Sequence, residues 1–501
     1  MCGIAVSWGA VGDDTVRTML DRIRHRGPDG EGVAIRGKAC LGHVRLSILD
    51  LEGGAQPMAN ERGDLAVAFN GEVYNHLELR RTIEPRHAFS SRSDTEVLLH
   101  LYEEEGEDML PRLDGMFAMA IAGPGGLLLA RDALGIKPLY YGRREGVLLA
   151  SSELKAFPPM DELHMLPAGH AMLHDGEPWR VSLPYPPRPR ISEVPLEAVL
   201  KDIRRLLERA VEKRLMADVP VGVFLSGGLD SSLVAALMRP HVVELHSFTA
   251  GMEGAPDLEA ARRVAAHLGT VHHELRYSEK DVEEALPEVI RHLESFDAPL
   301  VRSAIPMYFI AKLAARHVKV ALMGEGADEL FAGYEYLSRL GGGECLRREL
   351  TDITLRLQDT NLQRGDRMTM AHGLEGRVPF LDGDLVRYVA RLPVDLLEPR
   401  PDRPEKWLLR EACRGILPDS ILQRKKMKFS EGAGSSEVIA RLADSSISED
   451  EFRRTKAVEP GVVLRSPEEL YSYRIWREAF GSHISASLVG RTLDRAAAGT
   501  P

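Results

Sequence analysis

A proline-rich stretch at residues 177–195 divides this chain of 501 residues into two parts with different sequence patterns. Proline fixes φ and removes a backbone hydrogen-bond donor, so this stretch is expected to run as an extended crossing segment. Each side is long enough to bury its own core, which predicts two domains with a boundary near residue 190. The predicted units are residues 2–190, residues 191–485 and a tail at 486–501. The chain after Ser482 is small and polar and is expected to lack fixed structure.

The first part contains many short strand-like runs and few helical ones, a pattern typical of layered sheets with helices outside. The predicted strands are residues 2–8, 39–50, 65–70, 116–122, 127–131 and 147–150. Helices are predicted at residues 14–24 and 94–104. Ser93 and Glu96 fit a capping box at the start of the second helix.

In the second part, apolar strands alternate with helices, as in a parallel sheet that is covered on both faces. The predicted strands are residues 219–225, 242–249, 271–275 and 318–323. The predicted helices are residues 195–216, 231–239, 257–268, 278–296 and 303–316, and residues 345–480 are expected to be mostly helical. The sequence therefore predicts an α+β domain followed by an α/β domain.

Composition and charge exclude several classes of protein. The formal net charge of −11 is opposite to that of a nucleic-acid-binding surface. No apolar run reaches the 18 or so residues of a membrane-spanning helix, and the N-terminal residues lack a signal-peptide pattern. Four cysteines are too few for a disulfide scaffold, and no CxxC or HxxxH pair predicts a structural zinc site. We expect a soluble cytoplasmic enzyme without nucleic-acid or membrane partners, and a homodimer is left open.

Cys2 directly follows Met1, so removal of Met1 would place a thiol and a free α-amine on one residue. An α-amine has a pKa of roughly 7.7–8.0 and a free thiol one of about 8.5, so neither group is strongly activated by itself. Together they would form a nucleophile with its own base. The alternative is a small buried side chain at the start of a strand.

Polar residues in the same part could build a pocket around this thiol. Arg45 could bind a carboxylate bidentately, and Asp94 at a helix start would stay ionised and bind an ammonium. Asn70 and Gly71 give a turn signal and could donate hydrogen bonds to an oxyanion. Such a pocket would suit an α-amino acid with a reactive side-chain amide. Alternatively, Arg45 is an ion-pair partner and Asn70-Gly71 only a turn.

The motif SGGLDSS at residues 226–232 follows a predicted strand and begins a helix. Consecutive small residues let backbone N–H groups face an anion at the helix start, although the Walker A lysine is absent. Asp230 is suited to holding Mg²⁺ against a bound phosphate. The alternative is a Gly-Gly turn capped by serine.

A second glycine-rich motif, GEGADELFAGY at residues 324–334, follows another predicted strand. In a parallel sheet both loops would lie at the carboxyl ends of strands, where ligands bind. Asp230 and Asp328 could then share a metal–pyrophosphate, and Glu325 could act on an acceptor. The basic loop at residues 424–432 could stabilise a phosphate transition state. The alternative for the acidic motif is a solvated helix start, and the alternative for the basic loop is a solvated cationic patch.

The motifs of residues 2 to about 175 resemble the glutaminase domain of class II glutamine amidotransferases. They are CGI at 2–4, RHRGPDG at 24–30, HVRLSI at 43–48, NGEVYN at 70–75, Asp94 and ARDALGIKPLYY at 130–141. The resemblance implies a layered αββα N-terminal-nucleophile fold in which Cys2 attacks glutamine and releases ammonia, with Asn70 and Gly71 as the oxyanion hole. The residues implied to hold glutamine are Arg45, Leu46, Ser47, Ile48, Leu49, Asn70, Gly71, Glu72 and Asp94.

The motifs of the second part resemble the synthetase domain of glutamine-hydrolysing asparagine synthetases. They are the two glycine-rich motifs, EGRVPFLD at 375–382 and KKMKFSEG at 425–432. The resemblance implies a Rossmann-like parallel-sheet domain with added helices, in which ATP and Mg²⁺ serve to adenylate the β-carboxylate of aspartate before ammonia displaces AMP. The implied ATP-binding residues are Leu225, Ser226, Gly227, Gly228, Asp230, Ser231, Ser232, Ala250, Met323 and Gly324. Further implied roles are metal binding by Asp230 and Asp328, assistance of the attack by Glu325 and charge stabilisation by Lys426.

Some residues depart from the family pattern. Serine is commoner where this chain has Met323 and Ala327, and aspartate is more usual at Glu431. These departures leave the identity of the acceptor open. One enzymatic alternative to aspartate amidation is amidation of another carboxylate in a specialised pathway. The other is cyclisation of an adenylated substrate, as in β-lactam synthetase. A catalytically idle scaffold is the alternative of another class, and the intact reactive residues of both sites argue against it.

Overall fold

The computed structural model describes residues 2–9, 13–181, 194–340, 342–424 and 427–493. The boundary predicted near residue 190, most of the proline-rich stretch and Lys426 lie outside the described residues. Within the described ranges, no helix is both long enough and apolar enough to cross a membrane.

The secondary structure follows the two sequence patterns. The strands are β1 (Gly3–Trp8), β2 (Gly30–Arg36), β3 (Ala39–Arg45), β4 (Met58–Ala59), β5 (Ala66–Val73), β6 (Gly115–Gly123), β7 (Gly126–Arg131), β8 (Tyr140–Arg144), β9 (Val147–Ser151), β10 (Glu162–Met165), β11 (His170–Leu173), β12 (Trp179–Arg180), β13 (Val221–Phe224), β14 (His246–Gly251), β15 (Val271–Arg276), β16 (Val320–Leu322), β17 (Glu375–Arg377), β18 (Ala457–Glu459) and β19 (Val462–Val463). The helices are α1 (Asp13–Arg22), α2 (His76–Ile83), α3 (Glu96–Glu105), α4 (Leu196–Lys213), α5 (Leu229–Met238), α6 (Pro256–Leu268), α7 (Glu279–Leu293), α8 (Ala298–Ala314), α9 (Ala327–Leu330), α10 (Glu344–Leu355), α11 (Asn361–Met370), α12 (Gly383–Val389), α13 (Trp407–Ala412), α14 (Asp419–Leu422), α15 (Phe429–Gly432), α16 (Val438–Ser446), α17 (Glu449–Thr455) and α18 (Pro467–Phe480).

Three apolar cores arrange the first domain in four layers. Two antiparallel sheets, ordered β10-β8-β9-β1-β3-β2 and β12-β11-β7-β6-β5-β4, meet through residues such as Ile4 and Ala68. The opposite face of the first sheet, including Ala5, packs on Val16 of α1. The opposite face of the second, including Phe69, packs on α2 and α3. Because successive side chains of a strand point to opposite faces, this alternation produces the predicted αββα order, which is confirmed.

The second domain is built on a parallel sheet ordered β15-β14-β13-β16-β17, which confirms the predicted α/β class. Its central strand β13 is buried along its whole length. The loops that begin at Leu225 and Met323 follow β13 and β16, which are neighbours in the sheet. Both glycine-rich motifs therefore lie at the same carboxyl edge of the sheet.

The predicted turn at Asn70-Gly71 is wrong, because both residues lie inside β5, opposite Ala118 and Phe117 of β6. Glycine is required here by a close approach of two strands. A Cβ atom added to Gly71 would lie 2.1 Å from the carbonyl oxygen of Met116. The glycine of this Asn-Gly pair is therefore required for close packing of two strands and not for a turn.

Other local predictions also differ from the structure. The strand predicted to extend to residue 50 ends at Arg45, whose side chain organises the following loop. The predicted capping box is absent from the start of α3, because the Glu96 carboxylate instead accepts hydrogen bonds from Ser90 and Ser91. The sequence pattern missed β2, β8, the edge strand β17 and the short strands β4, β10, β11, β12, β18 and β19.

The expected loss of fixed structure after Ser482 is wrong for the described residues 483–493. Arg491 pairs with Glu469 of α18, and the Thr492 backbone N–H donates to Asp297 at 3.2 Å. This segment is held by polar contacts, which an analysis based on apolar periodicity does not detect. Residues 494–501 lie outside the described ranges.

A network of buried ion pairs joins the two domains. Arg26 of the first domain donates to both carboxylate oxygens of Asp366 on α11, at 2.9 and 3.1 Å, and to Glu153 at 2.6 Å. The adjacent Arg367 donates to Glu294 at 2.9 Å. All five side chains are fully or almost fully buried. Removal of one partner from such a network leaves an uncompensated charge away from water, which costs about 3–5 kcal/mol.

We predict that Asp366→Ala lowers the free energy of unfolding by about 3–5 kcal/mol, because Arg26 loses its bidentate counter-charge. Chemical denaturation of the variant and the parent chain measures this difference. The matched control is Asp13→Ala, which removes the exposed ion pair with Arg17. Equal stabilities for the two variants would contradict the account of the interface.

Candidate active sites

Cys2 is buried immediately before β1, beside the carboxamide of Asn70. Its backbone N–H donates to Asn70 Oδ1 at 3.1 Å, and its Sγ lies 4.0 Å from the Leu46 carbonyl oxygen. Burial raises the pKa of the Cys2 thiol. The thiol therefore needs a base, since desolvation disfavours the thiolate.

Asn70 brings a hydrogen-bond donor close to Cys2. Its side chain is fully buried, and its Nδ2 has no hydrogen-bond partner among the described residues. A buried donor without a partner costs free energy, which makes it available to an anion that enters the site. The structure thus brings together Cys2 and Asn70, which the sequence analysis predicted to share a site.

Arg45 has a different environment from the one predicted. Its guanidinium donates to the carbonyl oxygens of Leu49, Asp50 and Leu51 at 2.7–3.1 Å. These bonds hold the loop that begins at Leu46, so in this structure Arg45 shapes the loop around the thiol. Of the other predicted residues of this loop, Leu46 and Ile48 are buried, and Ser47 donates its backbone N–H to Asp29 at 2.8 Å.

Glu72 of β5 and Asp94 lie close together in a buried group of carboxylates that also includes Glu375. Asp94 accepts a hydrogen bond from the Val73 backbone N–H at 2.8 Å, and burial raises the pKa of Asp94 to about 6. Burial and the neighbouring Glu375 raise the pKa of Glu72 well above its ordinary value, although Arg377 lies 3.2 Å away. An entering ammonium would relieve this excess of negative charge. The expectation that the helix start keeps Asp94 fully ionised underestimated its burial.

The second site is a cavity of about 640 Å³ at the carboxyl edge of the parallel sheet. The predicted residues that line it are Leu225, Ser226, Gly228, Asp230, Ser231, Ala250, Met323, Gly324, Glu325 and Asp328. Gly227 has φ +71°, and an added Cβ would lie 2.4 Å from the backbone of Ala260, so it positions the loop rather than lining the cavity. Ser232 is fully buried beneath the loop.

The two glycine-rich loops touch each other directly. A Cβ added to Gly324 would lie 2.9 Å from the Cβ of Asp230, so glycine permits the contact. Within the first loop, the hydroxyl groups of Ser226 and Ser231 lie 3.1 Å apart, and the Gly228 N–H donates to Ser226 Oγ at 3.3 Å. This hydroxyl-lined turn at the start of α5 has the form of an anion-binding site.

Lys406 is a site residue that the sequence analysis missed. Its ammonium lies 2.5 Å from Asp230 and 2.6 Å from Asp328, and these two carboxylates raise the pKa of Lys406 despite its burial. Two carboxylates that converge on one cation are also suitable ligands for Mg²⁺, which prefers oxygen donors. The residues present thus fit the predicted metal. A lone lysine in a polar segment gave no sequence signal.

Glu325 projects into the same cavity and forms an ion pair with Arg364 of α11. Nearby, burial and Asp328 raise the pKa of Glu329 to about 7, and Tyr334 donates a hydrogen bond to it. The cavity therefore holds several carboxylates balanced by cations from other segments. Arg364 was also missed, because its role depends on how α11 packs against the sheet.

The basic loop reaches the first glycine-rich loop through its first residue. Arg424 donates to the Ser226 carbonyl oxygen at 3.1 Å and pairs with Asp257 at 2.8 Å. Met427 and Lys428 line the cavity. Lys426 lies outside the described residues, so its predicted role stays a prediction.

We predict that Asp94→Asn stabilises the protein at neutral pH. The folded-state pKa of about 6 exceeds the ordinary aspartate pKa of 3.8, so the contribution of Asp94 to stability is full below pH ~4 and is lost as the pH rises through ~6. At ~1.4 kcal/mol per pKa unit, the gain from the amide is at most about 3 kcal/mol. Thermal unfolding of the variant and parent between pH 5 and 8 should show a difference that grows with pH. The control is Asp108→Asn, at an exposed position. A difference between Asp94→Asn and the parent that does not change with pH would contradict the assignment.

Comparison with known proteins assigns the family. Residues 1–174 match the model described as glutamine amidotransferase domain, and residues 202–347 and 338–489 match the model described as asparagine synthase. Glutamine-hydrolysing asparagine synthetase from Triphysaria versicolor is 38% identical over 97% of this chain and 88% of its own. Asparagine synthetase 1 from Arabidopsis thaliana is 37% identical over the same shares, and the enzyme from Asparagus officinalis is 39% identical over 87% and 78%. This chain therefore belongs to the glutamine-hydrolysing asparagine synthetase family.

Proposed function

We propose that this chain makes asparagine from aspartate, with ammonia released from glutamine and with ATP converted to AMP and pyrophosphate. The observation that carries the proposal is the convergence of Ser226, Asp230 and Glu325 on one cavity, in a chain that also buries Cys2 beside Asn70. Two sites of these compositions suit amide hydrolysis and acyl-adenylate formation. Membership of the family supports the pairing.

In the first half-reaction, the Cys2 thiolate attacks the side-chain amide of glutamine. The free α-amine of Cys2, once Met1 is removed, takes the thiol proton, which the buried thiol would not lose unaided. The unpartnered Nδ2 of Asn70 donates to the developing oxyanion. Ammonia leaves, and water hydrolyses the thioester to glutamate. Asp94 and Glu72 attract the substrate ammonium.

In the second half-reaction, the β-carboxylate of aspartate attacks the α-phosphorus of ATP, which gives β-aspartyl-AMP and pyrophosphate. Ser226, Ser231 and the start of α5 hold the pyrophosphate. Asp230 and Asp328 would hold Mg²⁺, which when bound neutralises phosphate charge. Ammonia then attacks the acyl carbon, Glu325 takes the proton that the nitrogen loses, and AMP leaves.

Localisation in the cytoplasm, a homodimer and the role of Lys426 stay predictions from the sequence. Aspartate is the acceptor that the family favours, and pyrophosphate release with candidate carboxylates would identify it directly.

We predict that Cys2→Ala abolishes asparagine formation from glutamine but preserves synthesis from added ammonium. The thiol serves only the release of ammonia, whereas the ATP cavity lies in the other domain. Asparagine formation with each nitrogen source measures both halves. Cys40→Ala, at a buried cysteine of the same sheet, is the control that should retain both activities. Loss of the ammonium-supported activity in Cys2→Ala would contradict the separation of the sites.

We predict that Glu325→Gln depresses asparagine formation by about 10²–10⁴-fold, because glutamine retains the size of the side chain but cannot accept the proton. Glutamate release should survive. The measurement compares glutamate, asparagine and thermal midpoint for Glu325→Gln and for the exposed control Glu335→Gln. A lowered midpoint with preserved synthesis would instead assign Glu325 a structural role through Arg364.

A further inference from the structure

A group of two histidines and two glutamates lies on the first domain, in a region that the proposed reaction does not use. Glu61 comes from the loop before β5, His87 from the connection between α2 and α3, and His100 and Glu103 from one face of α3. One ligand atom from each of the four residues lies within 4.8 Å of the other three. Three separate segments thus direct nitrogen and oxygen donors at one point.

The distances identify the converging atoms. His87 Nδ1 lies 3.2 Å from Glu61 Oε1 and 3.6 Å from Glu103 Oε2. His100 Nδ1 lies 3.1 Å from the same Glu103 oxygen. The two imidazole rings are 4.5 Å apart between centroids. A cation between these atoms would replace repulsion between the carboxylates with attraction.

The second carboxylate oxygen of each glutamate in this group already accepts a hydrogen bond from another residue. Glu61 Oε2 accepts from the Ala88 backbone N–H at 3.0 Å. Glu103 Oε1 accepts from Asn60 Nδ2 at 3.0 Å and pairs with Arg62 Nη2 at 2.6 Å. These contacts fix the carboxylates so that one oxygen of each faces the centre. Such outer contacts are what orients the ligands of a metal site.

The histidines have the same arrangement. His87 Nε2 lies 3.1 Å from Glu104 Oε1. His100 is fully buried, and its Nε2 lies 3.8 Å from Glu96 Oε1 without a hydrogen-bond partner in the described part of the chain. The Glu104 carboxylate behind the His87 ring favours the tautomer whose Nδ1 can bind a metal, and Glu96 lies on the corresponding side of His100.

We propose that Glu61, His87, His100 and Glu103 form a zinc site. Two imidazole nitrogens and two carboxylate oxygens are the donor types that Zn²⁺ accepts in four-coordinate sites, whereas Mg²⁺ and Ca²⁺ select oxygen ligands. The four protein ligands fill the coordination sphere, so the site is structural. The spacing rules of zinc motifs did not reveal it, because the ligands come from three segments.

The site would hold the connection between α2 and α3 against α3. That connection carries Ser90 and Ser91, which bond to Glu96, and it leads directly to Asp94. Bound zinc would therefore stabilise the segment that positions Asp94 behind β5. The ion would contribute to folding and take no part in either half-reaction.

Zinc titration of the full chain tests this site. After treatment with a chelator, the protein is titrated with ZnCl₂ against a chromophoric competitor, and the stoichiometry and Kd are measured for the parent, His87→Gln and Glu61→Gln. We expect one tight site per chain, at least about tenfold weaker in each variant. Zinc should also raise the thermal midpoint of the parent more than that of either variant. Glu61 is partly exposed, so Glu61→Gln keeps the test valid if His87→Gln folds poorly.

The matched control is His273→Gln, in a second group of histidines formed with His246 and His317 in the other domain. The proposal requires that this variant retain the tight site. Loss of tight binding in His273→Gln, unchanged affinity in Glu61→Gln or the absence of tight binding in the parent would each overturn it.

Discussion

Arg377 lies fully buried between the two domains, where a guanidinium must be paired on every side to offset its desolvation. Its Nη1 donates to the carbonyl oxygens of Arg214 and Met216, both at 2.7 Å, and its Nε donates to Glu375 at 2.5 Å. Its Nη2 lies 3.2 Å from Glu72 of the first domain. One side chain thus fixes β17, the end of α4 and β5 relative to each other.

Both sites depend on this arrangement. The Arg377 carbonyl oxygen accepts a hydrogen bond from the backbone N–H of Met323, the first residue of the loop that carries Glu325, at 2.8 Å. The side chain of the same residue reaches Glu72, in the strand that carries Asn70. A continuous apolar core also runs between the domains, and the ion pairs of Arg26 with Asp366 lie beside it. The two sites are therefore connected through one continuous buried interior.

The sequence predicted the features that depend on residues adjacent in the chain. It did not predict the site and interface residues whose positions depend on packing between distant segments. The periodicity of the strands and the glycine-rich motifs identified the two folds and the loop at Ser226, because these are local properties. The sequence analysis wrongly predicted a turn at Asn70-Gly71, because glycine is required both in such turns and where two strands approach closely. Lys406 and Arg377 could not be found in this way, because a single basic residue has no periodicity and its partners are distant in the chain.

The buried interface between the domains joins the two half-reactions in one enzyme. Glutamine labelled with ¹⁵N at the side-chain amide, supplied with an equal concentration of unlabelled ammonium, tests it most directly. If ammonia passes between the sites within the shared interior, water is excluded from the transfer and nearly all of the asparagine formed carries the label. Asparagine whose label matches the mixed pool of ammonia in solution would contradict the claim.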